Sequence, residues 1–235
     1  MKDLLHKVKV EKVSKKVVSQ IVDLIFEGKL VPGEKLPSES TLVEIFEVGR
    51  PSLREAIGQL EKMGYLDVRA RGDVYVKPIN SIFESDNTPF NLQGDQRKIK
   101  LLFCLRKDLE VASAYTAALK CSGEHLSDIE KCFENFKYGE FESQKLWELD
   151  QEFHTSIVRA SNNLYRIHEV INVFYFLEKN IKPVFEKVQF YDDNFATVVS
   201  QHQSIVEAIR EGDADKAQKR MSDHIDWTNR YTLDR

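Results

Sequence analysis

Between Leu36 and Val76 the order of capping, turn and apolar signals leaves few folds open. Leu36-Pro37-Ser38-Glu39 opens a short helix, with Ser38 placed to cap it and Leu42, Ile45 and Phe46 as its inner face. Val48-Gly49-Arg50 follows as a turn, and Gly49 can supply the positive φ that such a turn often needs. Pro51 suits the first turn of the next helix. There Leu53, Ala56, Ile57 and Leu60 recur at helical spacing. Upstream, Val17, Ile21, Leu24 and Ile25 form one apolar stripe that Gly28 stops, ahead of a turn at Pro32-Gly33. Downstream, Leu66, Val68 and Ala70, then Val74 and Val76, alternate across a turn at Arg71-Gly72-Asp73. Three helices and a hairpin in this order predict a winged helix-turn-helix, and with it double-stranded operator DNA as a partner.

Arg50 and Arg54 stand one turn apart on the outer face of the third helix, at its N-terminus, with Ser52 between them. Two forked guanidiniums there can reach guanine edges or phosphates in a major groove. Arg69 and Arg71 put positive charge near the hairpin tip, suited to a flanking groove. An isolated arginine pair is more often a solvated, salt-bridged face. Here the surrounding order of elements favours DNA contact. Charge adds modest support: residues 1–78 carry a net +2 and the remainder a net −6.

A chain of 235 residues allows one or two domains. No apolar run is long enough to span a membrane, and no secretory signal opens the chain. Cys104, Cys121 and Cys132 are odd in number and lack CxxC spacing, so they read as buried, reduced thiols of a cytoplasmic protein. Polar and turn residues accumulate over 79–96, a linker whose Phe83 and Phe90 suggest packing rather than free suspension. From Arg97 onward helical periodicity dominates, with candidate helices over 97–119, 125–137, 142–161, 164–187, 192–211 and 214–232. Pro183 is expected to kink or end the fourth of these. The fold class is therefore mainly α: a winged helix-turn-helix over 1–78, then an all-α antiparallel helical bundle over 97–235.

Within the bundle, Asp150 and His154 lie at i and i+4 and project from one helix face. Gly212-Asp213 marks a helix end and a new start, with His202 ten residues before Gly212 and His224 twelve after it. In an antiparallel hairpin turning there, the two histidines sit about 15 and 18 Å from the turn, near one level. One carboxylate and three imidazoles at one height suit a divalent transition metal. His6, His125 and His168 lack such partners and read as surface or packing residues.

The first segment resembles the DNA-binding domain of the GntR family of bacterial transcription regulators. The likeness rests on Pro32-Gly33-Glu34, Leu36-Pro37-Ser38-Glu39, Val48, Arg50, Leu53-Arg54-Glu55-Ala56, Leu60, Gly64, Leu66, Arg71-Gly72 and Val76. It implies that Arg50 and Arg54 contact the operator and that Gly72 shapes the wing tip. Ser40 stands where the family often has arginine, and Asp73 where the tip often carries a basic residue. Both remove positive charge from the usual contact set.

The second segment resembles the FCD ligand-binding domain of the FadR subfamily. Arg106 and Glu110, Ala117-Ala118, Asp150 through His154, Ala160 with Asn163, His202 with Ala208-Ile209, Gly212-Asp213, Ala217 and His224 carry that likeness. Asn162 stands where the family commonly has glycine. The resemblance implies zinc or nickel held by Asp150, His154, His202 and His224, a small carboxylate effector beside it, and a homodimer. Arg106 has two open readings: an intrahelical salt bridge with Glu110, or a guanidinium that takes the effector carboxylate.

The expected function is a ligand-responsive transcription regulator, in the sense of a repressor, acting as a homodimer on operator DNA. A metallohydrolase fused to a DNA-binding head is the alternative from another class. No glutamate beside the histidines forms an HExxH-like arrangement and no nucleophile motif is present, which argues against an enzyme. A purely structural metal is the third reading.

Overall fold

The computed structural model describes residues 12–78, 96–138, 143–189 and 192–233. The described residues are mainly helical, with one two-stranded antiparallel hairpin. The chain divides into two compact units, with the division between Ile79 and Asn80.

In the first unit α1 (Val13–Phe26), α2 (Glu39–Phe46) and α3 (Arg50–Lys62) precede β1 (Leu66–Val68) and β2 (Val74–Val76). The boundaries have local causes. Gly28 takes a φ of 68° just past α1. Ser38 caps α2, its side chain accepting from the Thr41 N–H at 3.3 Å. Leu53, Ala56, Ile57 and Leu60 of α3 bury against Val17, Ile21 and Ile25 of α1, Leu42 of α2, and Leu36, Leu66, Val74 and Val76. Leu66 pairs with Val76 and Val68 with Val74, and the Leu36 N–H donates to the Val74 carbonyl at 2.9 Å, tying the segment before α2 to the hairpin.

Three local expectations are corrected. Gly49 is extended at φ −68°, and the left-handed residue is Glu47 at φ 52°. Glu47 closes α2, and a helix end is where the chain reverses through a left-handed residue. Ile45 is exposed, because the buried stripe of this two-turn helix runs through Leu42 and Phe46, one turn apart. Ala70 leaves the strand for a short 3-10 turn over Ala70–Gly72, with Gly72 at φ 82°.

The second unit comprises α4 (Gln96–Lys120), α5 (Gly123–Tyr138), α6 (Ser143–Ala160), α7 (Leu164–Gln189), α8 (Asp192–Arg210) and α9 (Ala214–Leu233). These match the helices expected from periodicity to within a few residues. α4 opens one residue earlier than expected; the rest of the linker, with Phe83 and Phe90, lies outside the described residues, as does His6. α7 continues past Pro183 rather than ending there. A proline removes one backbone bond, and the bonds on either side carry the helix on.

The α8–α9 reversal that sets the height of His202 and His224 is fully built. Gly212 takes φ 72°, the Asp213 N–H reaches the Ala208 carbonyl at 3.0 Å, and the Asp213 carboxylate accepts from the Lys216 N–H at 3.0 Å. Between α6 and α7, Asn162 holds φ 50°, which explains why glycine suits this place and why asparagine is tolerated. Phe153 and Ile157 of α6, Ile205 and Ile209 of α8, and Met221 and Ile225 of α9 meet Ala114 and Ala117 of α4 in the main core. Cys104, expected to be buried, is exposed on α4, while Cys121 and Cys132 are half-buried.

Candidate metal centre and nucleic-acid interface

α6, α8 and α9 bring His154, His202 and His224 together, with ligating nitrogens within 4.8 Å of one another and all three rings buried. His224 Nε2 lies 3.2 Å from His154 Nε2 and 3.3 Å from His202 Nε2. Asp150, one turn before His154, points Oδ1 to within 3.5 Å of His202 Nε2 and 3.9 Å of His154 Nε2. The three histidines thus form one cluster, with Asp150 beside two of its rings.

The protonation of the rings follows from their far sides. His154 Nδ1 faces the Glu110 carboxylate, which can only accept, so Nδ1 carries a proton. His224 Nδ1 donates to the Gln201 amide oxygen at 2.8 Å, which leaves a lone pair on Nε2 of the neutral ring. That lone pair faces His154 Nε2 at 3.2 Å. His202 is held between the rings of Phe153, at 4.2 Å, and Phe136, at 4.8 Å. Burial first, then the neighbouring imidazoles and Arg106, pushes His202 well below the usual imidazole range. Burial, His154 and Arg106 do the same for His224. Both rings are neutral at neutral pH. The carboxylate behind His154 stands where an outer partner would orient that ring toward a metal. The donor set fits a divalent transition metal.

Glu110 is fully buried on α4 and serves two partners. Arg106 Nε donates to Oε1 at 2.6 Å, and Oε2 meets His154. Burial pushes its carboxyl up, but Arg106 and His154 outweigh this and hold it down to about 2. Arg106 stacks over Phe174, 5.0 Å from the ring centre, and its Nη2 is buried with no hydrogen-bond partner among the described residues. Of the two readings of Arg106, the salt bridge with Glu110 is formed. Its Nε side makes the salt bridge, while one terminal nitrogen remains unsatisfied in a place where such groups are normally paired.

These groups make the helical unit acid-sensitive. Below a pH of about 6.5 the unfolded histidines take up protons that folded His202 and His224 refuse, so stability falls as pH falls. Glu110, also depressed, contributes stability that is present above its ordinary 4.5 and lost as pH drops toward about 2. Metal-free protein should melt at a lower temperature at a pH of about 5 than at about 7.5. An unchanged midpoint by circular dichroism would contradict this assignment.

On the first unit, Arg50 and Arg54 share the exposed face at the start of α3, as their spacing predicts, and half-buried Ser52 lies between them in sequence. Sequence reasoning missed their common partner. Glu39 of the Leu-Pro-Ser-Glu segment accepts from Arg54 Nε through both oxygens, at 3.0 and 3.1 Å, and stands 3.7 Å from Arg50 Nη1. Arg69 lies over the Tyr75 ring at 4.0 Å. Asp73 pairs with Lys35 at 2.8 Å. The Arg71 side chain lies outside the described residues, while the Gly72 backbone has the left-handed φ a wing tip needs.

Comparison with known proteins places both units. Residues 13–76 match the bacterial regulatory proteins of the gntR family, and residues 101–226, over half the chain, match the FCD domain. The chain is a GntR-family transcription regulator with an FCD domain. It is 28% identical over 222 residues to an Escherichia coli (strain K12) protein named for regulation of an L-lactate dehydrogenase operon, covering 93% of this chain and 85% of that one. The galactonate operon transcriptional repressor of the same organism is 25% identical, covering 87% of this chain and 90% of its own length. Among solved structures, Streptococcus agalactiae GntR aligns with a TM-score of 0.51 and 27% identity, covering 92% of this chain and 99% of that one. This GntR regulator is thus a DNA-binding protein and not an enzyme. Among its described residues no helix is long and apolar enough to cross a membrane.

Proposed function

We propose that this GntR regulator is a cytoplasmic, homodimeric repressor whose operator affinity is set by a small carboxylate bound beside a divalent metal. Zinc or nickel would be held by Asp150, His154, His202 and His224. The observation that carries the reading is the convergence of three buried imidazoles within 4.8 Å of one another beside Asp150, with Arg106 Nη2 linked to the cluster through Glu110. When bound, the metal supplies a Lewis acid that accepts more ligands than the four protein groups, leaving room for a carboxylate. Arg106 Nη2 is the second point of attachment, a donor already stripped of water and suited to a carboxylate oxygen. Two relatives are named for an L-lactate dehydrogenase operon and a galactonate operon, and L-lactate and galactonate are both 2-hydroxy acids. That chemistry, a carboxylate with an adjacent hydroxyl, is the effector class we favour.

On the DNA side, Arg50, Ser52 and Arg54 enter the major groove, with Arg71 and Gly72 at the wing. Metal analysis of gently purified protein, joined to operator titrations across a panel of 2-hydroxy acids, tests the whole reading. We expect about one metal per chain, and for one acid a shift in operator affinity of roughly 5- to 150-fold. An effector response that survives complete metal removal would sink the sensing role of the ion. An unchanged affinity across the panel would leave only a structural metal.

A further inference from the structure

The three buried imidazoles are held from behind in three different ways. His154 Nδ1 meets the Glu110 carboxylate, supplied by α4. His202 Nδ1 is buried with no hydrogen-bond partner among the described residues, and its ring is fixed by stacking on Phe153 and by the tilted Phe136 ring. His224 Nδ1 donates to Gln201 Oε1 at 2.8 Å. That acceptor belongs to the residue just before His202.

Its placement follows from the α8–α9 hairpin. Successive residues of a helix project about 100° apart, so with His202 aimed at the cluster, Gln201 is turned to one side of it. α9 runs along that side, where Ile205 and Ile209 of α8 share a core with Met221 and Ile225 of α9. The long Gln201 side chain crosses between the two helices to the far nitrogen of His224, 23 residues on. α8 thus supplies one imidazole of the cluster and the acceptor that aims a second.

We infer that Gln201 is a positioning residue for the metal centre: its amide oxygen keeps the His224 proton on Nδ1 and so leaves Nε2 bare toward His154 and His202. The inference rests on the metal reading proposed above. A neutral imidazole carries one proton, and the hydrogen bond made by one nitrogen decides which of the two is left as a ligand. With the amide oxygen present, the proton belongs on Nδ1. Without it, an Nδ1–H would have lost its acceptor, while Nε2 has the nitrogens of two other rings at 3.2 and 3.3 Å. The proton then moves to Nε2, the atom that a metal needs free. A glutamate at 201 would accept from Nδ1 just as the amide does, and a carboxylate behind an imidazole makes it a more basic ligand.

Gln201→Met and Gln201→Glu in the full-length chain test this. Gln201 is only half-buried, so circular dichroism should show both variants folded. Long-range proton–nitrogen NMR on metal-free protein reads the His224 tautomer, and competition with a chromophoric chelator reads zinc affinity. We expect the Nδ1–H form in the wild type and in Q201E, and the Nε2–H form in Q201M. Zinc binding should weaken by about 10- to 100-fold in Q201M and be at least as tight as wild type in Q201E. A Q201M variant that keeps the wild-type tautomer would overturn the inference, even if its zinc affinity fell, because Gln201 would then only be packing. So would a Q201E variant that binds zinc no better than Q201M. A wild-type protein that takes up no zinc would overturn the metal reading instead, and the tautomer would still report whether Gln201 sets the ring.

Discussion

Replacing Glu110 with alanine should lower the stability of the helical unit by about 3–5 kcal/mol, the largest effect expected of any single substitution at the centre. The reason is what remains. Arg106 is 2% exposed, and its Nε donates to Glu110. Without that carboxylate a guanidinium already short of one hydrogen bond is left charged and buried. The same substitution takes away the acceptor that fixes the His154 tautomer, so metal affinity should fall by about 10- to 100-fold. Denaturant unfolding and metal titration read the two effects separately.

A second variant divides structure from sensing. Arg106→Met together with Glu110→Met removes both charges and keeps comparable volume beside Phe174, an exchange that often restores or exceeds the original stability. The protein should then fold well but hold metal weakly and lose the effector response. If the double variant kept full metal affinity, Glu110 would be a structural counter-ion alone. If it kept the effector response, Arg106 would not be part of the sensing site.

How much of this was legible in the sequence depends on the range of the interactions. The starts of α2 and α3, the Gly72 turn and the α8–α9 reversal were legible because caps, prolines and glycines act within a few residues. The nearness of His202 to His224 and of Asp150 to His154 was legible for the same reason: two histidines at near-equal distance from one turn, and an i, i+4 pair, are placed by helical rise. Glu110 behind His154 was not, because the pair is 44 residues apart and depends on how α4 packs on α6. Gln201 was hidden beside its conspicuous neighbour His202, although it serves His224 across the hairpin. Cys104 was misplaced because a helix with apolar residues on every side gives no signal of which face is inward. Ile45 failed likewise, since in two turns of helix a single apolar residue can stand on either side.

Arg54→Ala should weaken specific operator binding by roughly 5- to 150-fold, the worth of one bidentate base contact. Arg54 spends its Nε on Glu39, which keeps the two terminal nitrogens, a pair that can match the O6 and N7 of guanine, outside that ion pair. Arg50 stands farther from Glu39, at 3.7 Å, and is the less constrained of the two. Salt titrations tell base reading from phosphate contact. A base-reading arginine lost to alanine relaxes sequence preference at one position, whereas loss of a phosphate contact reduces the salt slope by about one and leaves preference intact. Glu39→Gln probes the grip itself. It removes a negative charge that phosphates would repel, so non-specific binding should tighten, while a less constrained Arg54 weakens specific binding. The ratio of specific to non-specific affinity should therefore fall from both sides. If Glu39→Gln tightened both equally, the carboxylate would only be neutralising charge, and if Arg50→Ala and Arg54→Ala both left operator affinity unchanged, the face at the start of α3 would not be the one that reads DNA.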